Sequence, residues 1–357
     1  MFDQDLHVLR KEIESIDEEL LRLLERRVSL AKGIGEVKGD APVYDPLREI
    51  EVLDRLCGLA RDVDPKFVRL LFGEVISFCR SVQRPATVAC MGPEGSFSHE
   101  AAFALLGRSI DLVFVEDPAQ VLSSISKEKA QMGVVPVENT TEGTVYATLD
   151  AFATADQSLS VIGEGQLPIR LVLASCENSF SDIEEVYSHP QPFGQCRNWL
   201  SRNLPGVRLI PTSSTSYAAN IAKSKQKSAA ICGKLAAELK GLNILEEGIE
   251  DRPYNATRFW LVGHVYEGRS KRNKTSILFN VSHKPGTLFQ ALEPLYMAGL
   301  NLTLIQSRPL PGNPFEYFFF VDFEGDAEDK KVKEALATMN SRVERLRVLG
   351  SYPQIRR

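Results

Sequence analysis

No two cysteines form a CxxC pair. The six, Cys57, Cys79, Cys90, Cys176, Cys196 and Cys232, are scattered, which points to reduced thiols and away from a zinc site. The five histidines are dispersed as well, so spacing offers no metal cluster, and neither metal nor cofactor is expected. No glycine-rich phosphate loop of the Walker or dinucleotide type occurs. Positive charge is not in excess: the formal net charge is −5, which leaves no electrostatic footprint for nucleic acid or an acidic membrane surface. No apolar run approaches bilayer length, and no export signal is visible in the charged amphipathic start, so a cytoplasmic protein is expected. What the chain does have is length. Its 357 residues of ordinary hydrophobic content suffice for two or three domains with real cores.

The central stretch is GVVPVENTTEGTVYATLD, from Gly133 to Asp150. The apolar run Met132–Val137 reads as a buried parallel strand that stops at a polar turn beginning with Glu138, and a helix is expected from about Thr144. In open α/β sheets, ligands sit past the carboxyl ends of strands, beside helix N-termini. The alternative is a plain strand-to-helix turn capped by Thr140 and Thr144.

Before it, Leu6, Leu9, Ile13, Ile16, Leu20 and Leu23 step by three and four along one long amphipathic helix with a coiled-coil-like seam. Continued, the count puts Arg27 in the seam, where a buried arginine needs an anion. Lys38, eleven residues on, nearly eclipses Arg27 at ~16 Å along the axis, close enough for two long side chains to lean around one small dicarboxylate. Asp45-Pro46 and Asp64-Pro65 open second and third helices. Arg48 and Glu49 on the second, and Gln83 on the apolar stripe of the third, are expected to converge with Arg27 and Lys38. Arg10 lies a quarter turn off the seam and is placed to reach a partner chain.

From Thr87 to about Gly268, strands alternate with helices. The strands are read near Thr87–Met91, Leu112–Val115 and Met132–Val137, then from Leu167 in a second run with Val207–Ile210, Ala229–Cys232 and Asn243–Leu245. The order implies a parallel sheet with right-handed crossovers, a second α/β lobe, and a return strand at Trp260–Val262, with a cleft between the lobes. In SHPQPFGQC, Pro192 opens a helix and His189 reads as structural. A charged linker is read at 267–274. Beyond it the order is βαββαβ, a ferredoxin-like sandwich, with a turn over 309–314.

Three resemblances follow from these stretches. LRKEIESIDEELLRLLERR with Lys38, DPLRE and Gln83 resembles the all-helical chorismate mutase domain. The resemblance implies an intertwined dimer whose site is lined by Arg10 of the partner with Arg27, Lys38, Asp45, Arg48, Glu49 and Gln83, and a pericyclic rearrangement of chorismate to prephenate. Such a reaction needs no nucleophile, only cations and hydrogen bonds that hold a compact substrate; Lys38 and Gln83 are the candidates for the breaking ether oxygen. GPEGSFSHEAA, GVVPVENTTEGTV, SHPQPFGQC and NATRF, in order, are similar to prephenate dehydratase, which implies two lobes like those of periplasmic binding proteins. By motif, Glu138, Asn139 and Thr140 face the cleft from one lobe and Gln195 from the other, with Thr257, Arg258 and Phe259 near the hinge. Thr257 is the expected donor to the leaving hydroxyl. Arg258 either anchors a carboxylate or makes a structural salt bridge. Glu138 is a proton donor only if burial raises its pKa; otherwise it orients Asn139 and Thr257.

Finally, NLTLIQSRP, EYFFFVDFEG and LGSYP resemble the ACT domain, whose copies pair around an amino acid. Phenylalanine is the implied effector, held by Gly286, Thr287, Leu288 and Phe289 with Gln306, Ser307, Arg308 and Pro309. Gln306 stands where the family has glutamate, and Phe289 is bulkier than its usual counterpart. The expectation is a multidomain chain: helical mutase bundle 1–84, two-lobed α/β dehydratase 85–268, ACT domain 273–357, acting as a homodimer or higher oligomer. A two-lobed sensor that closes on an aromatic acid without turnover is the alternative; the arginine set and Thr257 argue against it. A helical module that only dimerises would favour leucine at Arg27.

Overall fold

The computed structural model describes residues 2–39, 41–252, 254–264, 273–309 and 317–355. They form two compact units. One holds the chain up to Ala86 with Leu106–Asp111; the other holds the remainder.

The first unit is helical: α1 (Phe2–Lys38), α2 (Pro46–Leu59) and α3 (Pro65–Ser81). Asp45 and Asp64 cap α2 and α3, each followed by the expected proline. α2 and α3 pack together, and Leu53, Val68 and Ile76 are buried. Most of the α1 seam is not: Leu9, Ile13, Ile16 and Leu20 are each more than half exposed.

The second unit opens with a sheet interleaved with helices: β1 (Thr87–Met91), α4 (Phe97–Leu106), β2 (Asp111–Val115), α5 (Pro118–Ser126), β3 (Met132–Asn139), β4 (Gly143–Thr144), α6 (Tyr146–Thr154) and β5 (Leu159–Pro168). The chain then builds a second lobe of β6 (Leu171–Ser175), β7 (Glu185–Ser188), α7 (Pro190–Gln195), α8 (Arg197–Asn203), β8 (Arg208–Pro211), α9 (Thr215–Ser224), β9 (Ser228–Gly233), α10 (Lys234–Lys240) and β10 (Asn243–Glu247). It returns as β11 (Ala256–His264), inserted between β3 and β5 in the first sheet, whose order is β2-β1-β3-β11-β5.

The sheets are mixed, adding antiparallel strands to the parallel sheet expected of the first strands. β1 and β3 are parallel, but β11 runs antiparallel to both of its neighbours. β3 and β5 end near the passage to the second lobe, so a strand re-entering there must run backwards. In the second sheet, β10-β6-β9-β7-β8, β6 is antiparallel to β9 and β10. β5 was not foreseen, because its run carries Gly163, Glu164 and Gly165. Those glycines admit neighbours: Ile355 reaches Gly163, and Leu105 reaches Gly165.

The last region is the expected sandwich: β12 (Lys274–Asn280), α11 (Thr287–Met297), β13 (Leu302–Pro309), β14 (Tyr317–Glu324), α12 (Lys330–Asn340) and β15 (Arg345–Tyr352), in the order β13-β14-β12-β15. Of the linker and turn read from the sequence, 267–272 and 310–314 lie outside the described residues. One sheet face is covered by α11 and α12 around Ile277, Leu295, Val321 and Met339. The other face shares a core with the first lobe, where Phe318, Phe320, Leu349 and Tyr352 join Phe152 and Trp260. The approach is close: a Cβ on Gly350 would lie 2.1 Å from the Val161 carbonyl oxygen.

A buried charge cluster crosses the same junction. Arg258 on β11 meets Asp322 on β14 at 2.6 Å and Glu164 on β5 at 3.2 Å; Glu164 also takes Lys274 at 2.7 Å. Burial works against the Arg258 charge, but Asp322, Tyr352 and Glu164 hold its pKa above the ordinary value. Asp322→Ala would leave this guanidinium under-neutralised in the core and should cost about 3–5 kcal/mol of unfolding free energy, read by urea or thermal melting. A loss of under 1 kcal/mol would mean the cluster is solvated.

Candidate functional sites

In the helical unit, part of the expected convergence forms. Arg27 is partly buried and donates to the Val75 carbonyl at 3.4 Å. Gln83 lies against Gly35, where a Cβ would stand 3.1 Å from the Gln83 Cα and Cβ, and its amide nitrogen donates to the Cys79 carbonyl at 3.1 Å. The Gln83 side-chain oxygen is buried without a hydrogen bond among the described residues. Lys38 donates to the carbonyls of Pro42 and Val43, at 3.4 and 3.2 Å. Asp45 caps α2 through the Arg48 N–H at 2.9 Å. Two residues do not converge. Arg48 is turned outward to Glu51 at 3.4 Å, both ends exposed. Glu49 points inward to Arg80, a buried arginine that sequence reasoning passed over. Arg80 also donates to the Leu106 carbonyl and lies 5.0 Å from the Tyr44 ring centre. Its neutralisation by Glu49 explains why Glu49 turns away. A hint existed in the sequence, since Arg80 adjoins the α3 stripe at Cys79. Arg10 is 17 residues from Arg27, ~26 Å along α1.

The α/β lobes bring distant motifs together more completely. β3 runs two residues further than its apolar stretch, through Glu138 and Asn139, then folds back as β4, with Glu138 opposite Thr144. The expected caps at Thr140 and Thr144 do not form. α6 starts later, at Tyr146, with no side-chain cap. Asn139 is the hub. Its amide nitrogen donates to Asn255 Oδ1 at 2.8 Å and to Thr257 Oγ1 at 2.9 Å. Its oxygen accepts from the N–H of Thr141 and of Glu142, at 2.9 and 3.1 Å. Thr257, 8% exposed, thus has its oxygen engaged as an acceptor and its proton available to donate. Asn255 was missed although it opens the NATRF motif; it is buried and lines the cleft.

That cleft, about 780 Å³, is lined by Gln191 and Gln195 from the second lobe, Thr141 from the first, and the hinge segment reaching Asn255. His189 caps α7, a structural role as expected; the helix begins at Pro190, earlier than Pro192. Several expectations are corrected. Thr140, like Asn139 and Thr257, is not among the residues that line the cleft; the latter two reach it through Asn255. The Thr140 hydroxyl donates to the Tyr254 carbonyl and accepts from the Ala256 N–H, both at 3.0 Å, tying the turn to β11. Glu138 lacks the burial its proton-donor role required: the side chain is 42% exposed and lies 3.5 Å from Arg258. Arg258 pairs with the buried carboxylates of Glu164 and Asp322 through Nη1, while its Nε and Nη2 are buried without a hydrogen-bond partner among the described residues. Phe259 is buried on the other side, lining a separate cavity of about 410 Å³ with Leu105, Leu167 and Ile355. Three thiols near these elements, Cys90, Cys196 and Cys232, are pushed up to about 12 by burial, so none serves as a nucleophile at neutral pH.

The expected effector set is split by strand alternation. Gly286, with φ +85°, opens α11, and Thr287, Leu288 and Phe289 line a cavity of about 310 Å³ with Tyr317 and Phe319. Ser307 pairs with Phe319, and Pro309 with Tyr317, on that same face. Gln306 and Arg308 alternate to the opposite face. Gln306 Oε1 accepts from Thr144 at 3.3 Å, and Arg308 grips Asp150 at 2.8 and 2.6 Å and stacks 4.4 Å from the Tyr146 ring centre. These two residues therefore face the first lobe, not the cavity.

Comparison with known proteins agrees with this layout. Family models match in succession: chorismate mutase type II over 9–84, prephenate dehydratase over 88–266, and ACT domain over 275–339. A bifunctional chorismate mutase/prephenate dehydratase of Aquifex aeolicus is 40% identical over 98% of this chain and 98% of its own; one of Pseudomonas aeruginosa is 39% identical over 99% of each. The crystal structure of prephenate dehydratase in complex with L-Phe from Arthrobacter aurescens is 35% identical and covers 75% of this chain and 90% of its own, with a TM-score of 0.69. No described helix is long and apolar enough to cross a membrane. Three domains in this order, matched over nearly the full length, place the chain in the bifunctional chorismate mutase/prephenate dehydratase family.

Proposed function

We propose that the chain works as three modules: 1–84 rearranges chorismate to prephenate, 85–268 converts prephenate to phenylpyruvate, and 273–357 senses phenylalanine. The observation that carries the second step is the Asn139–Thr257 hydrogen bond, which joins residues 118 positions apart beside the cleft. Prephenate takes up one proton and gives phenylpyruvate, carbon dioxide and water. Thr257 hands a hydrogen bond to the departing ring hydroxyl, while Asn139 fixes the Thr257 oxygen so that its proton points at the substrate. Gln195 holds the substrate from the second lobe. Carbon dioxide leaves as the ring becomes aromatic, and the departing hydroxide, hydrogen-bonded by Thr257, takes its proton from solvent to become water, so no covalent catalyst is needed. Purified protein given prephenate should form phenylpyruvate; no product would contradict this reading.

The mutase site is completed by a second copy. Arg10 cannot reach Arg27 within one helix, and the exposed α1 seam with exposed Phe67, Leu70 and Leu71 on α3 is a large unpartnered apolar face. A second copy supplies both the cover and an Arg10. Arg27, Lys38 and Gln83 bind and polarise the substrate, and Asp45 positions the α2 start. Six unpaired cysteines fit a reducing cytoplasm.

Regulation passes through β13. Phenylalanine occupies the cavity at Gly286–Phe289 beside Ser307 and Pro309. Gln306 and Arg308, on the same strand, hold Thr144 and Asp150 of the lobe that carries Asn139. Arg308→Ala should therefore leave dehydration without effector nearly unchanged but collapse the phenylalanine effect, a coupling typically ~5–150-fold, towards unity. Full inhibition in this variant would move the coupling elsewhere.

A further inference from the structure

We infer that Arg197 and Arg252 bind the carboxylate that prephenate keeps, the one on its pyruvyl side chain; this deepens the dehydratase reading above and rests on it. Prephenate is a dianion, and the arginine inside its sequence motif, Arg258, pairs with Glu164 and Asp322 in the core and is not among the residues that line the cleft. The cleft must take its cations from elsewhere. Its lining includes two guanidiniums, Arg197 at the start of α8 and Arg252 in the hinge segment before β11. Neither makes an ion pair among the described residues. The acids beside them are committed: Glu250 is held by Arg170 and the Leu171 N–H at 2.7 and 3.1 Å, and Asp251 by the N–H groups of Asn198 and Trp199 at 2.9 and 3.1 Å. Glu142, exposed on the turn, is the remaining carboxylate of the lining.

The chemistry chooses which substrate carboxylate they hold. The ring carboxylate leaves as carbon dioxide, so a salt bridge to it would stabilise the ground state against the reaction. The pyruvyl carboxylate is unchanged from substrate to product. Cations placed there bind substrate and transition state alike, lowering KM without altering kcat. A pair of planar guanidiniums suits a carboxylate better than ammoniums, because each offers a forked pair of donors.

The test uses the full chain, with Arg197→Gln, Arg252→Gln and the pair together. KM for prephenate should rise about tenfold for each single change, with kcat within about twofold. The inhibition constant of phenylpyruvate, which retains that carboxylate, should rise in the same proportion. Chorismate mutase turnover in the same samples should stay at the parent level, which reports an intact fold. KM and the product inhibition constant both unchanged would overturn the assignment, as would a fall in kcat at constant KM. Parent protein that fails to dehydrate prephenate at all would instead remove the dehydratase reading itself.

Discussion

Thr257→Ala should lower prephenate dehydration about 10²–10⁴-fold, the range for loss of a positioned donor to a leaving group, and leave chorismate rearrangement intact. The size follows from the surroundings. Thr257 is 8% exposed, its oxygen is held by Asn139, and a methyl group in its place offers the leaving hydroxyl nothing. Water cannot easily substitute in so confined a place. Asn139 would also lose a partner, though Asn255 still holds its amide at 2.8 Å, so the hub should survive the change. Thr257→Ser keeps the hydroxyl and should retain most of the rate. Near-normal dehydration by the alanine variant, with the protein folded, would remove Thr257 from the mechanism.

Arg27→Ala should have the reverse effect. Mutase turnover should fall at least ~10²–10³-fold, as when one preorganised donor to a developing charge is lost, while dehydration of supplied prephenate stays largely intact. Arg10→Ala should look the same, although the two side chains lie far apart on one helix. The two inactive variants mixed and allowed to exchange subunits should regain activity. A mixed dimer carries one site with both changes and one with neither. No recovery after exchange would contradict a site shared between copies. Equal loss of both activities in either variant would contradict the modular division.

The long helix, the Asp-Pro helix starts, the two lobes and the βαββαβ region were legible because periodicity and caps are local. What escaped was set by partners remote in sequence. Glu138 reads as a cleft acid until Arg258 is seen 3.5 Å away. Thr140 reads as a cap until the chain entering β11 uses its hydroxyl twice, at Tyr254 and Ala256. Arg80 is hidden because the acid that justifies its burial is Glu49, 31 positions earlier on another helix. β5 was invisible because its glycines suit close approach by Ile355 and Leu105, not strand propensity. The effector motif was legible as a unit, yet a strand shows alternate residues to opposite faces, so Ser307 and Arg308 serve different neighbours.

The central claim is that one chain makes prephenate and then consumes it. Proton NMR of the purified protein with chorismate alone tests this most directly. Phenylpyruvate should appear after a transient rise of prephenate. Chorismate that stays unchanged, or prephenate that accumulates without further loss, would contradict it.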